Sequence, residues 1–252
     1  MSIVLLDYRK KIFIDIIDST NTYLKNPAFE PGSWIVANSQ TEGKGRNNRK
    51  WTDIGDEKII FSGKIQFNTL DLPFTLLPIF VAKAIVMATV KSRPEFETVL
   101  KVKWPNDIYL YDRKVSGILV ESEIIENKFI AIIGIGINIF GSYLPGGLES
   151  AGYLLEHSDP VLKNVLLENL VLSINEHILL MANKNTIQTE ISWLYDRLYQ
   201  KDKLIAFDAG TSIMQGKVIG LTEQGFLLVE TKSGSRYELM DTTPNFKVLK
   251  DE

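Results

Sequence analysis

The chain has 252 residues, of which 45% are hydrophobic and 23% are charged, and its formal net charge is -3 at pH 7. A chain of this length can bury a core in one or two domains, and its weak negative charge gives no general attraction to nucleic acid. It contains no cysteine, which excludes disulfides and thiolate catalysis and suits a cytoplasmic protein. No apolar run approaches the ~20 residues of a membrane span, so no membrane partner is expected.

The first part of the chain alternates short apolar runs with turn residues. Residues 12–17 predict a strand, and Ser19 follows in a position to cap a short helix that ends at Leu24. Further strands are predicted at 33–38 and 58–67.

The middle of the chain predicts one core helix, then strands, then two more helices. Residues 74–91 have apolar side chains at helical spacing. The later elements are strands at 99–104, 107–111, 114–123 and 128–139, and helices at 164–181 and 187–199. The short turns between the last three strands indicate antiparallel hairpins.

The pattern changes near residue 202. Four short β-like runs follow, broken by turn residues at 208–210, 223–225 and 233–234. Runs of this kind predict a small β barrel or sandwich. We therefore expect two domains, with residues 1–202 forming the first and 203–252 the second.

The segment from Gly43 to Trp51 combines four cations, two glycines and an indole ring. Glycine lets a backbone approach a ligand closely, and Lys and Arg bind phosphate and carboxylate oxygens. The segment predicts a loop that closes over an anionic ligand. A solvated basic loop is the alternative interpretation.

A second polar segment begins at Lys101. Alternation along this strand-like run places Lys101 and Lys103 on one face. Pro105 cannot donate to a sheet, so Asn106 and Asp107 stand at a break in the pairing, where functional polar groups are common. A strand that simply ends in a proline turn would give the same pattern.

Five sequence blocks in order resemble the biotin protein ligases over most of residues 12–140. They are Asp18-Ser19-Thr20-Asn21, the segment from Gln40 through Gly43-Lys44-Gly45-Arg46 to Trp51, Lys103-Trp104-Pro105-Asn106-Asp107, Lys114-Val115-Ser116-Gly117-Ile118-Leu119-Val120-Glu121, and Gly134-Ile135-Gly136-Ile137-Asn138. Each block is weak alone, but five in the family's order make a specific match.

Two positions depart from the family's loop. Lys44 stands where Arg is usual, which keeps the charge but loses the planar guanidinium. Asn48 stands where a third Gly is usual, and Asn tolerates left-handed backbone better than most residues.

The resemblance implies an α+β fold. It consists of a mixed, largely antiparallel sheet with packed helices, similar to class II synthetases, plus a small C-terminal SH3-like β domain. It also implies an ATP-dependent ligase that forms biotinyl-5′-AMP and pyrophosphate, and then passes biotin to a lysine of a biotin carboxyl carrier protein. Mg²⁺ is implied by the triphosphate and would be held through phosphate oxygens and waters, with no protein ligands assigned. A homodimer is also compatible with the resemblance.

The resemblance also assigns the site residues. Catalysis is expected from Lys103 and Arg46, fixed cations that face the charge developing on phosphate and carboxylate oxygens. Biotin is expected to contact Ser19, Thr20, Asn21, Gln40, Lys44, Gly45, Arg46, Lys103 and Gly117. ATP and the adenylate are expected to contact Gly43, Lys44, Arg46, Trp51, Asn106 and Asn138.

Some of these residues have plainer interpretations. Ser19 can serve only as a helix cap, and Lys114 can be a solvated turn residue. The Gly134-x-Gly136 pair is not a dinucleotide fingerprint, because Ile139 occupies the place of the third glycine and no βαβ unit follows. His157 and His177 have no paired spacing that would suggest a metal site.

Two other functions are weighed. A lipoate or octanoate ligase shares the fold, but it lacks the block that ends at Trp51 and the Lys-Trp-Pro-Asn-Asp run. A biotin-responsive DNA-binding repressor would need an N-terminal helix-turn-helix, and only Met1 to Asp18 precede the Ser19-Thr20-Asn21 motif. We therefore expect the monofunctional form, without specific binding to nucleic acid.

Overall fold

A computed structural model describes residues 2–249 and contains two β-sheets. The strands of the larger sheet are β1 (Ile3–Val4), β2 (Lys11–Ile17), β3 (Trp34–Gln40), β4 (Glu57–Phe67), β5 (Leu100–Lys103), β6 (Asp107–Leu110), β7 (Arg113–Ile125) and β8 (Lys128–Phe140). They lie in the order β2-β3-β4-β8-β7-β6-β5, with β1 paired to β4. All pairs are antiparallel except β2 with β3. The predicted mixed, largely antiparallel sheet is confirmed.

Four α-helices accompany this sheet within residues 2–249: α1 (Thr20–Leu24), α2 (Leu77–Ser92), α3 (Pro160–Met181) and α4 (Ile187–Asp196). Helices α2 and α3 pack on each other, and their buried side chains share one apolar cluster with the inner face of the sheet. Helix α1 lies on the opposite face, where Leu24 packs with Ile35 and Ile132. The sheet is therefore covered on both faces, which explains the long apolar run of β8.

The segment Phe74–Ser92 is 19 residues long with a mean hydropathy of 1.7, long and apolar enough by composition alone to cross a membrane. The expectation that no segment approaches such a span is therefore wrong on composition. In the structure, 61% of this stretch is buried inside the protein, against α3 and the sheet. The segment contains the core helix that its apolar spacing predicts.

The smaller sheet is antiparallel and has the order β12-β11-β10-β9-β13. Its strands are β9 (Leu204–Ala209), β10 (Ser212–Leu221), β11 (Leu227–Thr231), β12 (Arg236–Leu239) and β13 (Lys247–Val248). Four of them match the predicted β-like runs, and their inward side chains form a separate apolar cluster. The α+β class with a small C-terminal β unit is confirmed, while the boundary between residues 202 and 203 stays a prediction.

Trp104 connects the two sheets. It comes from the turn between β5 and β6, yet it is buried in the cluster of the smaller sheet, and its indole N–H donates to the Gly225 carbonyl at 2.9 Å. Burial of a large side chain stabilises by about 1.5–3 kcal/mol. Trp104 therefore anchors the Lys103–Asp107 turn to the C-terminal unit.

Several element bounds differ from the sequence predictions; helix α4, for example, ends at Asp196 rather than at residue 199. Helix α3 begins at Pro160, before the predicted position 164, because Asp159 caps it and accepts a hydrogen bond from the Leu162 N–H at 3.2 Å. An Asp-Pro pair at this point is a helix-start pattern that apolar spacing alone misses. Strands β1 and β13 have two residues each, too few to show alternation.

Candidate active site

A cavity of about 280 Å³ lies on the sheet face that carries α1. One wall is the loop from Gly43 to Trp51, and a second is the Lys103–Asp107 turn. The C-terminal unit supplies a third wall through Thr242, Thr243, Pro244 and Phe246. The two segments that the sequence singled out as polar therefore face the same space.

The floor of the cavity is formed by glycines on β7 and β8. Gly117 and Gly136 are direct partners across these strands, and the indole of Trp51 lies on them. A Cβ at Gly117 would come 2.8 Å from the Trp51 ring, and one at Gly136 would overlap it. Glycine in these strands thus permits close approach of a ring to the backbone.

The Gly43–Trp51 segment folds back on itself as a short hairpin. The Gly45 N–H donates to Arg49 O at 2.7 Å, and the Trp51 N–H donates to Gly43 O at 2.9 Å. At its tip, Asn47 and Asn48 have φ values of 54° and 58°. Asn48 therefore adopts a left-handed backbone, a conformation that glycine adopts freely and that Asn tolerates better than most residues.

Arg46 points from the hairpin towards two other parts of the protein. Its guanidinium donates to Asn106 Oδ1 at 3.2 Å and forms an ion pair with Asp241 of the C-terminal unit. Asn106 is fixed in turn because its amide donates to Ile118 O at 2.7 Å. The structure brings together Arg46 and Asn106, which were both expected at the nucleotide, and adds the contact to Asp241.

Lys103 extends from the end of β5 over two tyrosine rings. Its ammonium donates to the Tyr109 hydroxyl at 2.9 Å and lies 4.6 Å from the centre of that ring. Burial lowers the pKa of Lys103, and the positive charge of Arg49 adds to this effect, while Asp107 opposes it. Burial together with Asp107 raises the pKa of Tyr109 to about 12, so its hydroxyl stays neutral. A partly desolvated ammonium of this kind gains much from an anionic ligand.

Lys114 is a cavity residue that the sequence left open as a turn residue. Its ammonium pairs with Asp107 at 2.6 Å and lies 5.4 Å from the centre of the Trp51 ring. The sequence feature that could have identified Lys114 as a cavity residue is its position three residues before Gly117, in the same family-like block. Sequence spacing alone could not show that β7 turns this side chain inwards.

Another part of the cavity lining, called here the polar end, consists of hydroxyl and amide groups. The Thr20 hydroxyl and backbone N–H both donate to Gln40 Oε1, at 3.0 and 2.8 Å. Ser19 caps α1, accepting from the Thr22 N–H at 3.4 Å, and it also lines the cavity. Capping and lining thus coexist at Ser19.

Asn21 lies flat on the sheet beside Thr20. A Cβ at Gly134 would overlap its amide oxygen, so glycine on β8 makes room for this side chain. The residue is only 4% exposed.

Most of the predicted site residues line this cavity. They are Ser19, Thr20, Asn21, Gln40, Lys44, Gly45, Arg46, Trp51, Lys103, Asn106 and Gly117. Gly43 lines a neighbouring open cleft that shares the hairpin. Asn138 lies outside the cavity lining, where its amide donates to Gly152 O at 3.2 Å. Its contact with a nucleotide stays a prediction.

Residues 13–138 match the family model described as the biotin/lipoate A/B protein ligase family. The bifunctional ligase/repressor BirA of Escherichia coli is 30% identical over 233 residues, which cover 89% of this chain and 70% of that protein. The BirA protein of Salmonella typhimurium is 36% identical over 137 residues, covering 53% of this chain and 42% of its own length. A structure of the biotin protein ligase from Aquifex aeolicus in complex with biotin and ATP has a TM-score of 0.74 and 26% identity, and the match covers 97% of this chain and 100% of that one.

Proposed function

The chain belongs to the biotin/lipoate A/B protein ligase family, and from this premise we propose that it is an ATP-dependent biotin protein ligase. In the proposed reaction, an oxygen of the biotin carboxylate attacks the α-phosphorus of ATP and pyrophosphate leaves. The ε-amine of a carrier lysine then attacks the acyl carbon of biotinyl-5′-AMP, AMP leaves, and the amine loses a proton. One observation carries the proposal: a single cavity is lined both by several cations and by an amide and hydroxyl cluster.

The cationic end suits the reacting groups. Lys103, Lys114 and Arg46 all line the cavity, and negative charge builds on carboxylate and phosphate oxygens in both steps. Cations that are already in place stabilise such charge without reorganising during the reaction. We assign the main role to Lys103, with Arg46 and Lys44 as further cations.

The polar end suits a cyclic urea. Ser19, Thr20, Asn21 and Gln40 bring hydroxyl and amide groups of both donor and acceptor type, next to the glycine floor. A site built to hydrogen-bond a ligand strongly rejects analogues that lack those groups. Lipoate has no ureido ring, so the polar end favours biotin.

Mg²⁺ fits this site only as a companion of the nucleotide. Within residues 2–249, no group of three or more His, Asp and Glu side chains is placed to hold a metal ion. The cavity offers Asp107 and Asn106 as oxygen donors, so triphosphate oxygens and waters would supply most ligands. The ion would neutralise phosphate charge when bound.

The acceptor protein and the cellular compartment are also proposed. A biotin carboxyl carrier protein or domain is the expected acceptor, and the cytoplasm the expected compartment, in keeping with a chain that contains no cysteine. Assembly as a homodimer also stays a prediction.

One incubation tests the function. The protein is mixed with ATP, Mg²⁺, labelled biotin and a purified carrier domain, and both pyrophosphate release and label on the carrier are measured. We expect biotin to be activated and transferred, and lipoate to release pyrophosphate no faster than the blank. If lipoate is the better substrate, the assignment within the family is reversed.

We also expect ligand-dependent protection of the hairpin from trypsin. Arg49 is exposed, and the backbone of the hairpin tip is closed by local bonds such as the Arg49 N–H to Arg46 O at 3.0 Å, so the peptide bonds after both arginines become accessible when the hairpin opens. Biotin with ATP should neutralise the hairpin cations and slow cleavage at these two residues. Cleavage at the exposed Lys232, in a distant turn, is the internal control. Equal rates at Arg46 and Arg49 with and without ligands would contradict a closing loop.

A further inference from the structure

The polar end of the cavity is one connected chain of hydrogen-bonding groups that runs from Gln40 to Glu121. Next to the Gln40–Thr20 contacts, Ser62 Oγ lies 2.8 Å from Thr20 Oγ1 and 2.5 Å from Asn21 Oδ1. The other end of the Asn21 amide donates to Glu121 Oε2 at 3.0 Å. Thr20, Asn21 and Ser62 are all buried, so water does not freely complete this chain.

This chain of hydrogen-bonding groups has fewer hydroxyl hydrogens than oxygen–oxygen contacts. Thr20 and Ser62 each bring one hydroxyl hydrogen, but three oxygen–oxygen contacts link Gln40, Thr20, Ser62 and Asn21. The Gln40 oxygen is fixed as an acceptor because it also receives the Thr20 backbone N–H. With the Ser62 hydrogen on Asn21 and the Thr20 hydrogen on Gln40, no hydrogen of the chain reaches Thr20 Oγ1.

Glu121 fixes the other end. Its second oxygen accepts from Lys25 Nζ at 2.6 Å. Burial alone would raise the pKa of Glu121, but the hydrogen bonds from Lys25 and Asn21 outweigh it and hold this pKa below its usual value. An ionised carboxylate can only accept, so Asn21 turns its NH₂ towards Glu121, with a longer contact of 3.5 Å from the same nitrogen to Leu119 O, and its oxygen towards Ser62.

We propose that Glu121 is a positioning residue. It fixes which groups of the ligand subsite donate hydrogen bonds and which accept them. By orienting Asn21, it leaves the cavity-lining Thr20 Oγ1 as an acceptor, which fits an N–H donor of a cyclic urea. This inference rests on the proposed function, because the ureido ring of biotin is the ligand that would supply the donor. Glu121 itself does not line the main cavity; it acts through Asn21.

Replacing Glu121 by glutamine would remove the constraint. The side-chain amide introduced by Glu121→Gln could donate to Asn21 Oδ1, which would let Asn21 turn and donate to Ser62 at the loss of only its long, 3.5 Å contact with Leu119 O. Ser62 could then donate to Thr20, and every contact of the chain would have its hydrogen. Thr20 would no longer be a free acceptor for the ligand.

Glu121→Gln is therefore expected to raise the KM for biotin about tenfold, the effect of losing one good hydrogen bond, with kcat for adenylation unchanged. Titration calorimetry should show the same loss in biotin affinity. Selectivity for biotin over an analogue with methylated ureido nitrogens should fall in parallel, since that analogue cannot donate. Glu123→Gln, two residues further along β7 on the same face and exposed, is the matched control and should change neither value.

A double-mutant cycle separates positioning from a direct or merely structural role. Adding Glu121→Gln to Asn21→Ala should cause no further loss of biotin affinity if Glu121 acts through Asn21. Additive losses, or an unchanged KM in well-folded Glu121→Gln, would overturn the inference while leaving the ligase function in place. A wild-type protein that binds no biotin would overturn both.

Discussion

Lys103→Ala is expected to slow formation of the adenylate by about 10²–10³-fold, as for removal of a fixed group that stabilises transition-state charge. The Lys103 ammonium is half-buried beside Tyr109, so its interaction with an anion is weakly screened by water. The effect should fall mainly on the rate of the chemical step, measured by single-turnover pyrophosphate release with saturating biotin and ATP.

Two further variants test whether the effect depends on the charge and on the position of Lys103. Lys103→Arg keeps the positive charge and should retain more activity than Lys103→Ala. Lys101→Ala removes a lysine two positions earlier on the same strand, outside the cavity, and should leave the rate near that of the wild type. A normal rate of adenylation in folded Lys103→Ala, with an unchanged melting temperature, would exclude the proposed role.

Gly136→Ala is expected to lower kcat/KM for biotin by about tenfold to a hundredfold, in line with the 1–3 kcal/mol typical of overpacking. The added methyl would overlap the indole of Trp51, so the ring and the end of the hairpin must move off the sheet. The hairpin carries Lys44 and Arg46, so displacement of Trp51 should also weaken ligand-dependent protection from trypsin.

Gly146→Ala is the control for this substitution, because nothing lies within 4 Å of a Cβ at that position. A second control places Gly136→Ala in a Trp51→Ala background, where the methyl has no ring to displace and should cause no additional loss. If Gly136→Ala is fully active, or if its effect persists without Trp51, the absence of a side chain at Gly136 is not what allows the Trp51 indole to pack on the sheet.

The amino-acid sequence alone was enough to predict the main helices and strands, the family and most of the residues that line the cavity. Alternation and helical spacing are local properties, so they predicted nearly every long strand and helix, including the hairpins around β7. The five blocks assigned residues such as Thr20, Gln40 and Lys103, because each block is a short, continuous stretch of sequence whose spacing can be read without knowing the fold. Asn at position 48 is compatible with the left-handed backbone found there.

Only the tertiary structure decided how residues that are distant in sequence meet. In the sequence, Ser62 is one of several polar residues of β4, yet strand register places it between Thr20 and Asn21. Lys114 becomes a cavity residue because β7 pairs with β6 and turns it towards Asp107. The pairing of Arg46 with Asp241 depends on how the C-terminal sheet docks around Trp104. Register and docking are set by long-range packing and hydrogen bonds between separate elements, which local sequence patterns do not encode.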